Sequence, residues 1–190
     1  QRAFGLINIL GLAAGMGCAL AIFLHIARES SWDRWIPGAG RVYRVTTEFR
    51  RGDRSGRFAY LNSPPGLSEE FPEIAAAARL FTYSWKEKTL IQSGDKVFYE
   101  DGVFLADPAI LGMFGVRILR GDPRTALDAP ASVIVSEKTA ARYFGAGDPV
   151  GRPLAVKNLT PADFTVSAVF KDFPGESHFH PDFILPFQAG

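Results

Sequence analysis

The stretch FGLINILGLAAGMGCALAIFLHIA, Phe4 to Ala27, decides how the rest of this chain is read. It contains no Asp, Glu, Lys or Arg. As an α-helix it would be about 36 Å long, against about 30 Å of bilayer hydrocarbon, so it suffices to cross with some tilt. A helix buried in a soluble core seldom runs apolar for this length. A cleaved leader fits poorly too, because the apolar run continues past Ala19-Leu20-Ala21, the one stretch resembling a cleavage site. The sequence therefore predicts a membrane span.

Its flanks agree. Arg2 stands at one end, and ARESSWDRW follows the other. Trp32 and Trp35 are one helical turn apart and suit the headgroup zone, which leaves Arg28, Glu29, Asp33 and Arg34 in water. No helix breaker precedes Pro37-Gly38, so the helix is expected to emerge as a short stalk. Gly11 and Gly15 form a G-x-x-x-G step, with Gly17 as a third small residue. Such residues let another helix approach closely, which a helix in a bundle needs and a lone anchor does not. His25, near the outer end, reads as interfacial or packed within that bundle.

The remainder is that of a folded domain. The chain has 190 residues, 47% of them hydrophobic, enough for one substantial core or two small ones. A net charge of +1 argues against a general nucleic-acid binder. The single cysteine, Cys18, excludes an internal disulfide. The chain opens on Gln1 and stops on LPFQAG, which reads as a fragment.

From about Gly40 short strands and helices alternate. RVYRVTTEFRRGDRSGRFAYLN reads as a strand, a Gly-Asp turn and a second strand. Its arginines (Arg41, Arg44, Arg50, Arg51, Arg54 and Arg57) interleave with Glu48 and Asp53, as on a solvated hairpin rather than a phosphate patch. Ser63 can cap a short helix that Pro72 ends. Strands are expected around ARLFTYS, KTLIQS and KVFYEDGVFLA. Asp107-Pro108 and Asp122-Pro123 each read as a capped helix start, and Asp148-Pro149 as a turn into Gly151. ASVIVSEKTAARYFG gives a buried strand, a Ser136 cap, a helix and a Gly145 stop, with RPLAV as the returning strand. FTVSAVFKDF alternates, placing Phe164, Val166, Ala168 and Phe170 on one face. The fold class is α+β: one N-terminal transmembrane helix and stalk, residues 1–36, then a mixed-sheet extracytoplasmic domain, residues 37–190, expected to be incomplete at its C-terminal end.

No phosphate loop, G-x-S-x-G elbow or H-E-x-x-H pair is present, so no catalytic or cofactor-binding residue is expected. ESHFHPDF, residues 176–183, is the one metal-like stretch. In a strand His178, His180 and Asp182 would share a face, but Phe179, Phe183, Leu185 and Phe187 alternate with them, so amphipathic patterning accounts for the stretch without a metal. A membrane-anchored metal-dependent enzyme using those three residues, or an anchored sensor, is the alternative reading.

FGLINILGLAAGMG resembles the first membrane helix of the MacB/FtsX-like ABC transporter permeases. SSWDRWIPGAGRVYRV, GVFLADPAILGMFGVRILRGDPRTAL, ASVIVSEKTAARYFG, DPVGRPLAV and FTVSAVFKDFPGESHFHPDFILPF are similar to successive parts of their periplasmic core domain, in the same order. The resemblance implies four membrane helices, with an outer domain between the first two whose porter-like part is rich in β-α-β units. It implies a non-catalytic permease in the inner membrane, working as a dimer. A cytoplasmic ATPase, separate or fused, would bind ATP and Mg, and a periplasmic adaptor is a further partner. ATP-driven movement would pass through the helices to the outer domain for export or release of a substrate.

Overall fold

In a computed structural model the protein is described at residues 2–51, 54–59, 64–82, 88–157 and 162–187. The apolar N-terminus forms one helix, α1, Arg2–Glu29. Every side chain described along it is exposed, and it is long and apolar enough to cross a membrane. A 3-10 turn at Ala39–Arg41 leads to a hairpin of β1, Thr46–Arg51, and β2, Arg54–Ala59. The Gly52-Asp53 turn and the Ser63 cap lie outside the described residues. The helix α2, Pro64–Glu70, and the strands β3, Leu80–Thr82, β4, Thr89–Ser93, β5, Lys96–Glu100, and β6, Val103–Ala106, follow. Then come α3, Ala109–Met113; β7, Ile118–Arg120; β8, Ser132–Ser136; α4, Glu137–Phe144; β9, Pro153–Val156; β10, Ala162–Phe170; and β11, Phe183–Pro186.

Apart from the β1–β2 hairpin, the described strands form one mixed sheet in the order β3-β6-β11-β8-β10-β9-β4-β5, with β7 on the end of β10. β8 runs parallel to β10, and β6 parallel to β11. The β-α-β unit is thus β8–α4–β10. The expected returning strand, RPLAV, is instead an antiparallel neighbour of β10, on the side away from β8. Of the two, β10 is longer and carries apolar residues for both faces, so it takes the central place.

Both faces of the central strands are buried. Val133, Val135, Val166, Phe183 and Leu185 face Ala140 and Tyr143 of α4, while Ile134, Ala168, Phe170 and Ile184 face Ile110 and Leu111 of α3. Each large side chain so enclosed contributes about 1.5–3 kcal/mol. The expected single face of β10 is not what forms. The β8–β10 register shifts between Val166 and Ala168, so Phe164, Val166 and Val169 serve one core and Ala168 and Phe170 the other. One extra residue, Ser167, inverts the parity of everything after it.

The caps divide by range. Ser136 Oγ accepts the Thr139 N–H at 3.3 Å and Gly145 closes α4 at φ 64°, as the sequence predicts. Asp107 does not cap α3. Its carboxylate accepts the Arg79 N–H at 2.8 Å and both arms of the Arg79 guanidinium at 2.8 and 2.7 Å. Burial alone would raise the Asp107 carboxyl; the Arg79 bonds outweigh it and hold the group low. A two-armed charged partner outcompetes a local backbone N–H. Asp122 opens no helix either; it accepts the Arg124 N–H at 2.9 Å in a turn. Asp148 likewise accepts from Val150 at 3.2 Å, in the turn expected of it.

Gly121, at φ 89°, lies directly on the β10 bulge, and a Cβ there would overlap the Ser167 carbonyl and Ala168. Gly121→Ala is expected to destabilise the domain by about 2 kcal/mol or more, read from urea unfolding with the m-value unchanged.

Candidate functional site

The site is the place where α1 meets the sheet. After Glu29 the chain does not continue as helix. Ser30 and Ser31 donate their hydroxyls to the Ala27 and Arg28 carbonyls, at 3.1 and 2.7 Å, and their N–H groups bond back to Ile26 and Arg28. Asp33 then adopts φ 57°, left-handed backbone that a non-glycine residue enters only when its surroundings hold it there. The expected helical stalk to Ile36 is therefore a run of turns.

What holds Asp33 is a loop from the opposite end of the sequence. Its N–H donates to the Glu176 carbonyl at 2.9 Å. Its carboxylate accepts the Ser177 hydroxyl at 3.0 Å and the His178 N–H at 3.1 Å, and lies 2.8 Å from His178 Nδ1. Ser177 is fully buried and also accepts the Phe179 N–H at 3.1 Å. Partial burial would raise the Asp33 carboxyl, but the bonds from the His178 ring, the His178 N–H and Ser177 outweigh it and hold the group below its usual 3.8.

Aromatic rings thicken the joint. The Trp32 ring lies 4.6 Å from that of His178, and the Trp35 ring 4.7 Å from that of Phe173. Phe173 packs on Phe170 of β10 and on Phe179, which packs on Phe104 of β6 and on Phe114. Both Trp Nε1 atoms are buried, with no acceptor among the described residues. Trp32 and Trp35 are thus half-buried against the domain, in turns rather than one helical turn apart. Pro37 continues the contact, its ring filling the space beside Gly115, where a Cβ would sit 2.7 Å away.

The loop that meets Asp33 is fastened at both of its ends to the start of α4. Asp172 accepts the Lys138 N–H at 3.2 Å. Asp182 lies 3.1 Å from Thr139 Oγ1, 3.3 Å from Ser136 Oγ and 3.1 Å from Lys138 Nζ, while its own N–H donates to the Gly102 carbonyl at 2.8 Å. Residues 172–182 therefore leave α4, touch the turn after α1, and return to feed β11.

This arrangement separates the metal candidates. Residues 176–182 are not a strand; β11 begins at Phe183. His178 serves Asp33, Asp182 serves α4, and His180 is exposed. β11 itself is not half-exposed as amphipathic alternation would have it, since Phe183, Ile184, Leu185 and Pro186 are all buried. Among the described residues no group of three or more His, Cys, Asp or Glu could hold a metal ion. Gly11 and Gly15 lie on the open surface of α1, where an added Cβ would meet nothing within 4 Å. Sequence reasoning missed Asp33 as a structural centre, and with it Ser177 and Phe173. The local signal was a lone carboxylate between two tryptophans; its partners lie more than a hundred residues away.

A helix long and apolar enough to span a membrane is thus tied to a mixed α+β sheet. The chain belongs to the MacB-like periplasmic core domain family, whose model matches residues 6–190. Such domains are parts of permease components of ABC transporters, which are not themselves catalytic. No curated protein sequence matches the chain. Among solved structures, a domain of a permease protein from Porphyromonas gingivalis is similar at 26% identity and TM-score 0.61, over 76% of this chain and 61% of that one. The periplasmic region of MacB from Actinobacillus actinomycetemcomitans is similar at 12% identity and TM-score 0.47, over 67% and 56%. The extracellular domain of the noncanonic ABC-type transporter YknZ from Gram-positive bacteria gives 14% and 0.41, over 53% and 50%. The chain thus spans about three fifths or less of each of these structures.

The depressed Asp33 carboxyl sets a pH window. Its contribution is complete above the usual carboxyl value of 3.8 and is lost as pH falls through the lower folded value. Asp33→Asn should remove that acid transition. It should also open the loop locally by about 1–3 kcal/mol near neutral pH, read as faster amide exchange at Ser177 and His178.

Proposed function

We propose that this chain is the first membrane helix and part of the outer domain of an ABC transporter permease of the inner membrane, and that it transmits movement rather than catalysing a reaction. A cytoplasmic ATPase, binding ATP and Mg, would shift the membrane helices. A second permease protomer would complete the bundle, with Gly11 and Gly15 on the face of α1 that meets a neighbouring helix. A periplasmic adaptor protein is a further partner, and the outer domain would drive export or release of a substrate outside the membrane.

The single observation that carries this reading is the Asp33 clamp. A helix that served only as an anchor could join its domain through any flexible linker. Here the turn after α1 is held by four polar contacts to residues 176–178, and that loop is fastened to α4 and enters β11. A displacement of α1 would therefore reach the middle of the sheet through bonded groups. Trp32 and Trp35, packed on His178 and Phe173 where the helix leaves the apolar zone, would stiffen the joint.

A flexible glycine linker inserted after Glu29, in the whole permease with its ATPase, should leave ATP hydrolysis in place and abolish transport. The double variant Asp33→Ala/Ser177→Ala should lower transport per ATP hydrolysed several-fold. Transport that survives both changes intact would remove the joint from the mechanism.

A further inference from the structure

The sheet ends on β5, and this edge carries features that a solvent edge lacks. Val97, Phe98 and Tyr99 are 47%, 39% and 68% exposed. Gly94, at φ 58°, turns β4 into β5 over two residues, and the pairs Ser93–Lys96, Ile91–Phe98 and Thr89–Glu100 are in register. In a hairpin closed this way those pairs exchange main-chain bonds, so the main-chain groups of Val97 and Tyr99 point outward. Among the described residues no strand takes them up.

A carboxylate stands half-used beside this edge. Glu100 is 4% exposed, and it accepts Arg142 Nη2 at 2.7 Å and the Tyr143 hydroxyl at 2.8 Å, both on Oε1. Burial, and then the bond to Glu100, push the Tyr143 phenol far above its ordinary value, so it remains a donor. No contact falls on Oε2 among the described residues. Lys96 lies on the same face of β5 and bonds the Arg142 carbonyl at 2.6 Å.

We propose that β5 pairs antiparallel with β5 of a second copy of this chain, centred on Phe98, with Lys96 of each copy set against Glu100 of the other. This register follows from the groups available. It sets Val97 against Tyr99, the two residues whose main-chain groups face outward, so the ladder closes. It also places a cation opposite a buried carboxylate that has an oxygen to spare, on both sides of the two-fold axis. The one like-charged meeting, Asp95 with Asp101, is moderated because Asp101 is already paired with Lys88 at 3.1 Å. Other registers that keep the ladder closed lose the Lys96–Glu100 match. A four- or five-residue ladder is a small contact for two free proteins. Two copies held in one bilayer by α1 meet at high effective concentration, which such a contact can use. The proposal rests on the proposed placement of α1 in a bilayer beside a second protomer.

The test is cross-linking of the full-length protein in membranes, in a Cys18→Ala background. Protomers carrying Val97→Cys are mixed with protomers carrying Tyr99→Cys and treated with a short bis-maleimide. The expected result is an inter-chain product, absent with Arg124→Cys, and reduced several-fold by Lys96→Glu. No product at these positions, or one formed equally with Arg124→Cys, overturns the proposal. Protection of both cysteines from maleimide without any inter-chain product also overturns it, since another part of the same chain then covers the edge.

Discussion

The joint between helix and domain depends on one carboxylate. Asp33 occupies left-handed backbone that costs an ordinary residue on the order of 1 kcal/mol or more. It is kept there because its N–H and both carboxylate oxygens are engaged by residues 176–178. Hydrogen bonds to a charged group contribute about 1.5–3 kcal/mol each, so the set outweighs the backbone term. The Trp32–His178 and Trp35–Phe173 contacts, and the seating of Pro37 beside Gly115, follow from the path this turn imposes. A glutamate in its place would carry the same charge one methylene too far for this geometry.

Behind that joint the sheet is rigid for a different reason. β8, β11 and the half of β10 after Val166 are buried on both faces, so moving one strand relative to another would disturb two cores at once. The Ser167 bulge is what gives β10 both faces. Its hydroxyl bonds the Ala126 and Val133 carbonyls, which ties the inverted parity to the turn that follows Asp122. The edge strand β5 lacks this double cover, and its residues from Lys96 to Tyr99 are exposed.

Local chemistry was legible in the sequence. The apolar run of α1, the Ser136 cap, the Gly145 stop and the turn at Asp148 each depend on neighbours within four residues, and each appears as read. Strands in ARLFTYS, KTLIQS and KVFYEDGVFLA were visible from composition, the last stretch dividing into β5 and β6. The failures share a cause. Asp107 was read as a cap because its long-range partner, Arg79, leaves no mark near it. The bulge in β10 leaves a perfectly alternating sequence unaltered. His178, His180 and Asp182 looked like one face because spacing alone cannot show that two of them turn to partners elsewhere in the chain. Asp33 was assigned to water for the same reason.

The two acidic anchors of the loop bear on what the joint can transmit. Asp172 and Asp182 both hold the start of α4, whose first N–H groups need acceptors and whose dipole favours negative charge there. Between them the loop touches Asp33 and packs Phe173 and Phe179 between β10 and β6. Pulling on the turn after α1 therefore loads hydrogen bonds at α4 and aromatic contacts on two strands, rather than one strand end. Hydrogen bonds resist by direction and the rings by packing, so the load is opposed both along the chain and across it. A tether of equal length with neither anchor would extend before it moved the sheet, because an unconstrained segment of this size yields at a cost of entropy alone.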